Sequence, residues 1–315
     1  MEARRLCSCP DNHLNCLTAK EWTKAMIGVW EFDYSPLDIR DKKLHPATFP
    51  IALAKKVIKL FTHKGNVVVD PFCGSGTTLV ACQDLTRHGI GLDLNPEYCV
   101  LARGRLANRK IGEFPSGRVK GSIDQFVEKG DVAEIEPESV EETPPVNLEV
   151  ICDDALNVAD YIPANSIDLV LTSPPYANIL NKSRTNKSKH SAKRHDGRLG
   201  VNEQYSSDTR DLGTKEPADF IDLMKQLSAK IYTVLKPGTH YVINIRDVVP
   251  FFIQPPLIST LTELDFALKN IIIWDKRKLI QGMGIFGWPS NYIALNSAYE
   301  YIFDFMKPKE VASEE

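Results

Sequence analysis

Asn66-Val67-Val68-Val69-Asp70-Pro71-Phe72-Cys73-Gly74-Ser75-Gly76-Thr77-Thr78 is the stretch that decides the fold. A β-branched apolar run of strand length ends in an acid. A Gly-X-Gly turn follows, and Thr77 opens a helical segment. Strand, glycine turn and helix together seat phosphate or adenosyl groups in open α/β sheets, where ligands lie beyond the carboxyl ends of the strands. Gly74 and Gly76 let the backbone approach a ligand and can take positive φ. Gly-X-Gly alone is shared with dinucleotide enzymes and ordinary turns. Here there is no third glycine of the dinucleotide pattern and no Gly-Lys-Ser/Thr of a nucleoside triphosphate loop. Asp70-Pro71-Phe72 instead puts an acid and an aromatic at the strand tip, where a sulfonium cation would be drawn to the face of Phe72.

The flanks of this unit alternate between buried strands and helices, which predicts a parallel sheet covered on both faces. Helices are expected over 50–62, 77–87 and 96–108. Strands are expected over 66–70, 90–93, 148–152 and 167–171. Further on, Phe220, Leu223, Leu227, Ile231 and Leu235 fall at helical spacing and predict an amphipathic helix over 217–235. Lys236-Pro237-Gly238 reads as the turn that stops it. A fifth strand is expected over 240–245, and 268–274 with 299–305 reads as a final strand pair. Near the start, Thr18 and Glu21 form a capping box for a helix over 19–27.

The chain has 315 residues, enough for one large α/β domain or two small ones, and its 43% hydrophobic and 25% charged residues are those of an ordinary soluble globular protein. No apolar run reaches the roughly 18 residues of a membrane span, so no membrane partner is expected. Met1-Glu2-Ala3-Arg4-Arg5-Leu6-Cys7 lacks the apolar core of a signal peptide, and seven mostly scattered cysteines fit a reducing compartment. A cytoplasmic location is the expectation. The net charge of -3 argues against a uniformly basic nucleic-acid binder, but its distribution is uneven. Between 182 and 198 stand seven basic residues (Lys182, Arg184, Lys187, Lys189, Lys193, Arg194 and Arg198) against one acid, whereas 131–142 holds six acids and no base. The first segment is expected to meet a polyanion and the second to point away from it; the plainer alternative is two solvated loops.

Three further acids end strands. Asp93, 23 residues after Asp70, stands where a carboxylate accepts both hydroxyls of a ribose. A helix N-cap is its alternative role, but Asn95-Pro96 offers the better cap. Asp153-Asp154-Ala155 ends the next strand, and Asp154 is the better placed of the two for an adenine amine. After the strand at 167–171 comes Thr172-Ser173-Pro174-Pro175-Tyr176. The exocyclic amine of cytosine or adenine is a poor nucleophile, because its lone pair is conjugated into the ring. Accepting hydrogen bonds from both of its protons lets the nitrogen pyramidalise. The Ser173 hydroxyl can be one acceptor and the Pro174 carbonyl, held by the stiff Pro-Pro unit, the other. Tyr176 can stack on the base. Such chemistry rests on positioning and on stabilising developing charge, and requires no metal.

The chain resembles the S-adenosylmethionine-dependent amino-methyltransferases of DNA, the N4-cytosine and N6-adenine group, over about 44–308. The motifs that carry the likeness are His45-Pro46-Ala47-Thr48-Phe49-Pro50, the loop 70–77, Gly91-Leu92-Asp93-Leu94 with Glu97-Tyr98, and 172–176. The implied fold is α/β: a Rossmann-like methyltransferase with a central, mostly parallel seven-stranded sheet, helices on both faces and a C-terminal antiparallel strand pair. The implied organisation is an extension at 1–44, a catalytic domain at 45–310 and a tail at 311–315. The catalytic domain carries insertions at 111–146 (acidic) and 177–215 (basic, the candidate recognition loop). S-adenosylmethionine is the implied cofactor. His45, Pro46, Thr48, Asp70, Pro71, Phe72, Gly74, Gly76, Thr77, Asp93, Leu94, Asp154, Ala155 and Thr172 are the implied cofactor contacts, and Ser173, Pro174, Pro175 and Tyr176 the catalytic segment. Phe286 and Trp288 resemble the lining of the base pocket, for which an aromatic core turn is the alternative. The implied partner is duplex DNA with its target base flipped, in a setting with a separately acting restriction endonuclease. The Ser-Pro-Pro-Tyr form goes mostly with N4-cytosine; N6-adenine or an RNA base is the alternative. Arg246 and Asp247 end the strand at 240–245, as site members or as structural ion-pair members. Cys7, Cys9, His13 and Cys16 could supply four zinc ligands, but the spacing matches no established pattern, so no metal is expected.

Overall fold

The computed structural model describes residues 5–10, 12–35, 38, 48–107, 146–175, 208–247, 252–280 and 298–309. In chain order the elements are α1 (Ala19–Ala25), β1 (Val29–Glu31), α2 (Ile51–Phe61), β2 (Val67–Asp70), α3 (Thr77–Asp84), β3 (His88–Asp93), α4 (Pro96–Ala107) and β4 (Leu148–Cys152). They continue with α5 (Val158–Tyr161), β5 (Ile167–Thr172), α6 (Pro217–Val234), β6 (Leu235–Ile245), α7 (Gln254–Glu263), β7 (Ala267–Asp275), α8 (Arg277–Ile280) and β8 (Tyr299–Met306).

The eight strands form one sheet in the order β1-β7-β8-β6-β5-β2-β3-β4. Every neighbouring pair is parallel except those made by β8, which lies antiparallel between β6 and β7. This is the Rossmann-like methyltransferase sheet, with one strand more than the expected seven. The extra strand is β1. Only three residues long, it shows no periodicity of its own and exists through pairing: Trp30 stands opposite Trp274 of β7 and is buried.

Alternation along the strands builds the two layers. In β2, Val68 packs with Leu53, Ala54 and Val57 of α2, while its neighbour Val69 packs with Phe220, Leu227 and Ile231 of α6. In β5, Leu169 and Leu171 face the first layer and Val170 the second. Each strand is therefore apolar on both faces, as parallel strands between helices must be. Burying a Leu, Ile or Phe side chain contributes about 1.5–3 kcal/mol, so this double layer is the main stabilising feature.

One local expectation is corrected. Lys236-Pro237-Gly238 is not a turn outside the strand but an irregular stretch within β6, where Gly238 takes φ +80° and the pairing with β5 shifts register. Lys307 reaches into this corner and donates to the carbonyls of Tyr232 (2.7 Å) and Leu235 (2.9 Å), so the end of α6 needs no turn to satisfy it. Residues 208–215, the described end of the 177–215 segment, include the buried Asp211, Leu212 and Gly213. The capping box at Thr18 and Glu21 forms as read and opens α1.

Candidate active site

The chain order reverses between β2 and β5, which are parallel neighbours. A cavity of about 250 Å³ opens there, beyond the carboxyl ends of the strands. Such reversal points are where open α/β sheets bind ligands. Of the residues singled out from sequence, Thr48, Asp70, Pro71, Phe72, Gly74, Thr77, Asp93, Leu94, Asp154, Ala155, Ser173, Pro174 and Pro175 line it.

Asp70 is buried and spends its carboxylate on the protein itself. It accepts from the Phe72 amide (3.1 Å), the Thr78 hydroxyl (2.5 Å) and the Thr172 hydroxyl (2.7 Å). Burial pushes its carboxyl up to about 6 against the pull of these bonds. The glycine turn is thereby tied both to its own helix and to the tip of β5. Thr172 and Gly76, expected as cofactor contacts, do not line the cavity. The Thr172 hydroxyl is turned to Asp70, and Gly76 (φ +80°) faces α4, where an added Cβ would lie 3.0 Å from that of Ala102. From α4, Arg105 donates to the Ser75 carbonyl at 2.6 Å and to the Ser75 hydroxyl at 2.9 Å, clamping the loop.

Asp93 accepts from the Gly74 amide (2.8 Å) and the Asn95 amide (2.9 Å), and burial pushes its carboxyl up to about 6. The N-cap role belongs to Asn95, whose side chain accepts from the Glu97 amide at 2.9 Å. Asp93 is thus left at the cavity wall. The adjacent pair Asp153 and Asp154 divides its work. Asp153 accepts from the Asn157 side chain (3.0 Å) and the Tyr161 hydroxyl (2.7 Å). Asp154 lines the cavity while one oxygen caps the short turn Ala155–Asn157.

Ser173 meets a polar row that the sequence did not announce. Asn244 of β6 donates to the Ser173 hydroxyl at 3.4 Å and to Glu300 of β8 at 2.9 Å. Lys276, which follows β7, donates to the other oxygen of Glu300 at 2.5 Å and lies 4.6 Å from the ring centre of Trp274. All four also line the cavity, with Tyr34 and Arg210. A signal existed: Asn244 and Glu300 are polar residues inside strand runs that are mostly apolar or aromatic. Asp247 caps the start of α7, accepting from the Gln254 amide (3.3 Å) and side chain (2.9 Å). His45, Pro46, Tyr176, Phe286, Trp288 and the basic residues Lys182, Arg184, Lys187, Lys189, Lys193, Arg194 and Arg198 lie outside the described residues, as does 131–142.

A model of the N6/N4 DNA methylase family matches residues 11–104 and 167–314. The chain belongs to this DNA methylase family. Among curated relatives, the chain is 42% identical over 78 residues to the type II methyltransferase M.HpaI of Haemophilus parainfluenzae, 25% of each chain. It is 38% identical over 107 residues to M.BglI of Bacillus subtilis, 34% of this chain and 28% of that one. The matched part spans only about a quarter of the length of these relatives. Among solved structures, SMU.1697c of Streptococcus mutans in complex with SAH is 13% identical, with a TM-score of 0.41 over 82% of this chain and 99% of that one.

Methylases of this family take their methyl group from S-adenosylmethionine. The residues present fit such a molecule. Asp93 can accept from a diol and Asp154 from an amine, and Phe72 offers a ring face to a cation. Gly74 (φ +50°) leaves backbone bare at the cavity. The first turn of α3 has no side-chain cap, which leaves amide donors for a carboxylate.

Proposed function

We propose that the chain is an S-adenosylmethionine-dependent DNA methyltransferase that modifies the exocyclic N4 amine of cytosine in a base turned out of the duplex. The observation that carries this reading is the position of Ser173. Its hydroxyl stands at the tip of β5, in the same cavity as Phe72, Asp93 and Asp154 and one strand from the glycine loop. Acceptors for an amine and a seat for a methyl donor thus share one compartment.

In this reading the bound cofactor supplies an electrophilic methyl group. The protein holds the amine. The Ser173 hydroxyl and the Pro174 carbonyl accept its two protons, so that the nitrogen lone pair leaves conjugation and faces the donor. Asn244 orients the Ser173 hydroxyl and itself donates to Glu300, whose other oxygen accepts from Lys276. Tyr176 stacks on the base, with Phe286 and Trp288 completing its pocket. Lys182, Arg184, Lys187, Lys189, Lys193, Arg194 and Arg198 meet the phosphates, and the acidic 131–142 segment points away. A base buried in the stack cannot reach such a site, so it must leave the helix. The setting is a cytoplasmic modification enzyme accompanying a separate restriction endonuclease.

The cytosine preference rests on the Ser-Pro-Pro-Tyr form of 173–176. The test is incubation with S-adenosylmethionine and unmethylated duplex DNA, digestion to nucleosides and mass spectrometry. N4-methylcytosine is expected. N6-methyladenine would overturn the base assignment and leave the mechanism standing. Methylation of RNA alone would overturn the substrate. No product and no cofactor binding would leave a nucleic-acid-binding protein without turnover.

A further inference from the structure

Far from this cavity, at the opposite end of β2, three cysteines of the N-terminal segment surround one histidine. Cys7, Cys9, Cys16 and His63 each offer a ligand atom, and these atoms all lie within 4.8 Å of one another. His63 Nδ1 stands 3.4 Å from Cys7 Sγ and 3.5 Å from Cys16 Sγ. A tetrahedral zinc with bonds of about 2.3 Å to sulfur and about 2.0–2.1 Å to nitrogen places N and S about 3.6 Å apart. The observed separations match that edge.

The second shell is also in place. His63 Nε2 lies 2.9 Å from the carbonyl oxygen of His13. A carbonyl only accepts, so Nε2 carries the proton, and Nδ1 turns a lone pair toward the thiols. Metal-bound histidines are held in this way. The His63 amide donates to the Asn66 side chain at 2.6 Å, and the ring is buried. The Lys64 amide donates to Cys16 Sγ at 3.4 Å. Arg87, itself buried, stands against Cys16 and Cys7, where it would offset the excess negative charge of three thiolates on a divalent ion. His13, the fourth ligand suggested by sequence proximity, serves through its backbone instead of its ring.

Among the described residues 5–16, little apolar surface is buried. Leu6 and Leu14 are exposed. Two hydrogen bonds fasten it to the end of α2 and the residues beyond, from the Leu6 amide to the Lys64 carbonyl (2.8 Å) and from Asn15 to the Leu60 carbonyl (2.7 Å). Segments with so little apolar burial are commonly ordered by a metal.

We propose that Cys7, Cys9, Cys16 and His63 bind one zinc ion. Three sulfurs and one imidazole suit zinc, and four protein ligands leave no open position, so the site is structural. It pins the N-terminal segment to the end of α2, whose other end follows the cavity-lining Thr48 and Phe49.

The test uses the full chain, expressed with zinc, purified without chelator and kept reduced. Elemental analysis is expected to give about one zinc per chain. Cobalt(II) added to the stripped protein is expected to give thiolate charge-transfer absorption and the intense visible bands of tetrahedral cobalt, saturating at one equivalent. His63→Asn and Cys9→Ser are each expected to weaken cobalt binding at least tenfold, and His13→Ala to leave it unchanged. Circular dichroism shows which variants remain folded; Cys9→Ser, at a partly exposed position, keeps the test open should His63→Asn unfold. Absence of both zinc and cobalt bands would overturn the proposal. So would bands that survive in folded His63→Asn, or a native mass showing two of these cysteines joined as a disulfide.

Discussion

Gly91 of β3 sits directly opposite Asp70 of β2, under the glycine loop. A methyl group added there would lie 2.8 Å from Cys73 Cβ, 2.9 Å from Cys73 Sγ and 2.9 Å from a Leu79 methyl. Carbon contacts are comfortable at about 3.5–4.0 Å, so each is too close by more than half an ångström. The strand is paired on both sides, with Asp70 and with Val150, and cannot yield. The loop is held too, by the Cys73 amide on the Leu92 carbonyl (2.8 Å) and the Gly74 amide on Asp93 (2.8 Å). Gly91→Ala should therefore cost about 2–3 kcal/mol, within the range for overpacking and strained hydrogen bonds. Calorimetry should show a melting temperature lower by about 5 °C. Titration with S-adenosylhomocysteine should show affinity reduced about tenfold, since that is only about 1.4 kcal/mol. Adding Cys73→Gly removes both contacts on that residue and should recover part of the loss. A Gly91→Ala protein that melts and binds like the wild type would refute this account of the loop.

Gly104, by contrast, has open space where a Cβ would stand, inside α4; Gly104→Ala should raise stability by about 0.5–1 kcal/mol in urea melts. Asp93 titrates near 6 when folded and near 4 when unfolded. The folded state therefore holds the extra proton, and the stabilisation present below about pH 4 is lost as pH rises through about 6. Between about pH 5 and pH 7.5 the cofactor-free wild type should lose about 1.4 kcal/mol more than Asp93→Asn, a difference measurable by denaturant titration at both pH values. Asn244→Ala frees the Ser173 hydroxyl from its donor, so single-turnover methylation should slow about tenfold or more while cofactor affinity stays within twofold, as expected of a positioning residue. Equal loss of affinity and rate would make Asn244 part of the cofactor seat instead.

The central sheet was legible wherever a strand carried its own signal. The runs of branched apolar residues at 67–70, 148–152 and 167–172 need no partner to be recognised. β1 gives no such signal, because three residues contain no period and Trp30 is buried by partners distant in sequence, β7 beside it and the helix α2 that carries Lys56. Gln254-Pro255-Pro256 looks like a break, yet proline is well suited to a first helical turn, and α7 begins there. The loop and the acid at Asp93 were legible because one continuous segment builds each. The row from Ser173 through Asn244 and Glu300 to Lys276 was not, since its members stand on or just after four strands and meet only through the sheet order. The thiol cluster was half legible: its cysteines share a short stretch, but its histidine lies 47 residues beyond Cys16, on the far side of α1, β1 and α2.

Asp70 joins Thr78, at the head of α3, to Thr172, the residue before Ser173, through the two oxygens of one carboxylate. In the proposed reading, the wall for a methyl donor and the wall for an amine are thus hinged on a common rivet. A displacement of one wall is expected to carry the other with it through that carboxylate. A misplacement of about 1 Å can slow a reaction about a hundredfold, so alignment here depends on a bolt beneath the floor of the site as well as on the contacts that face the ligand.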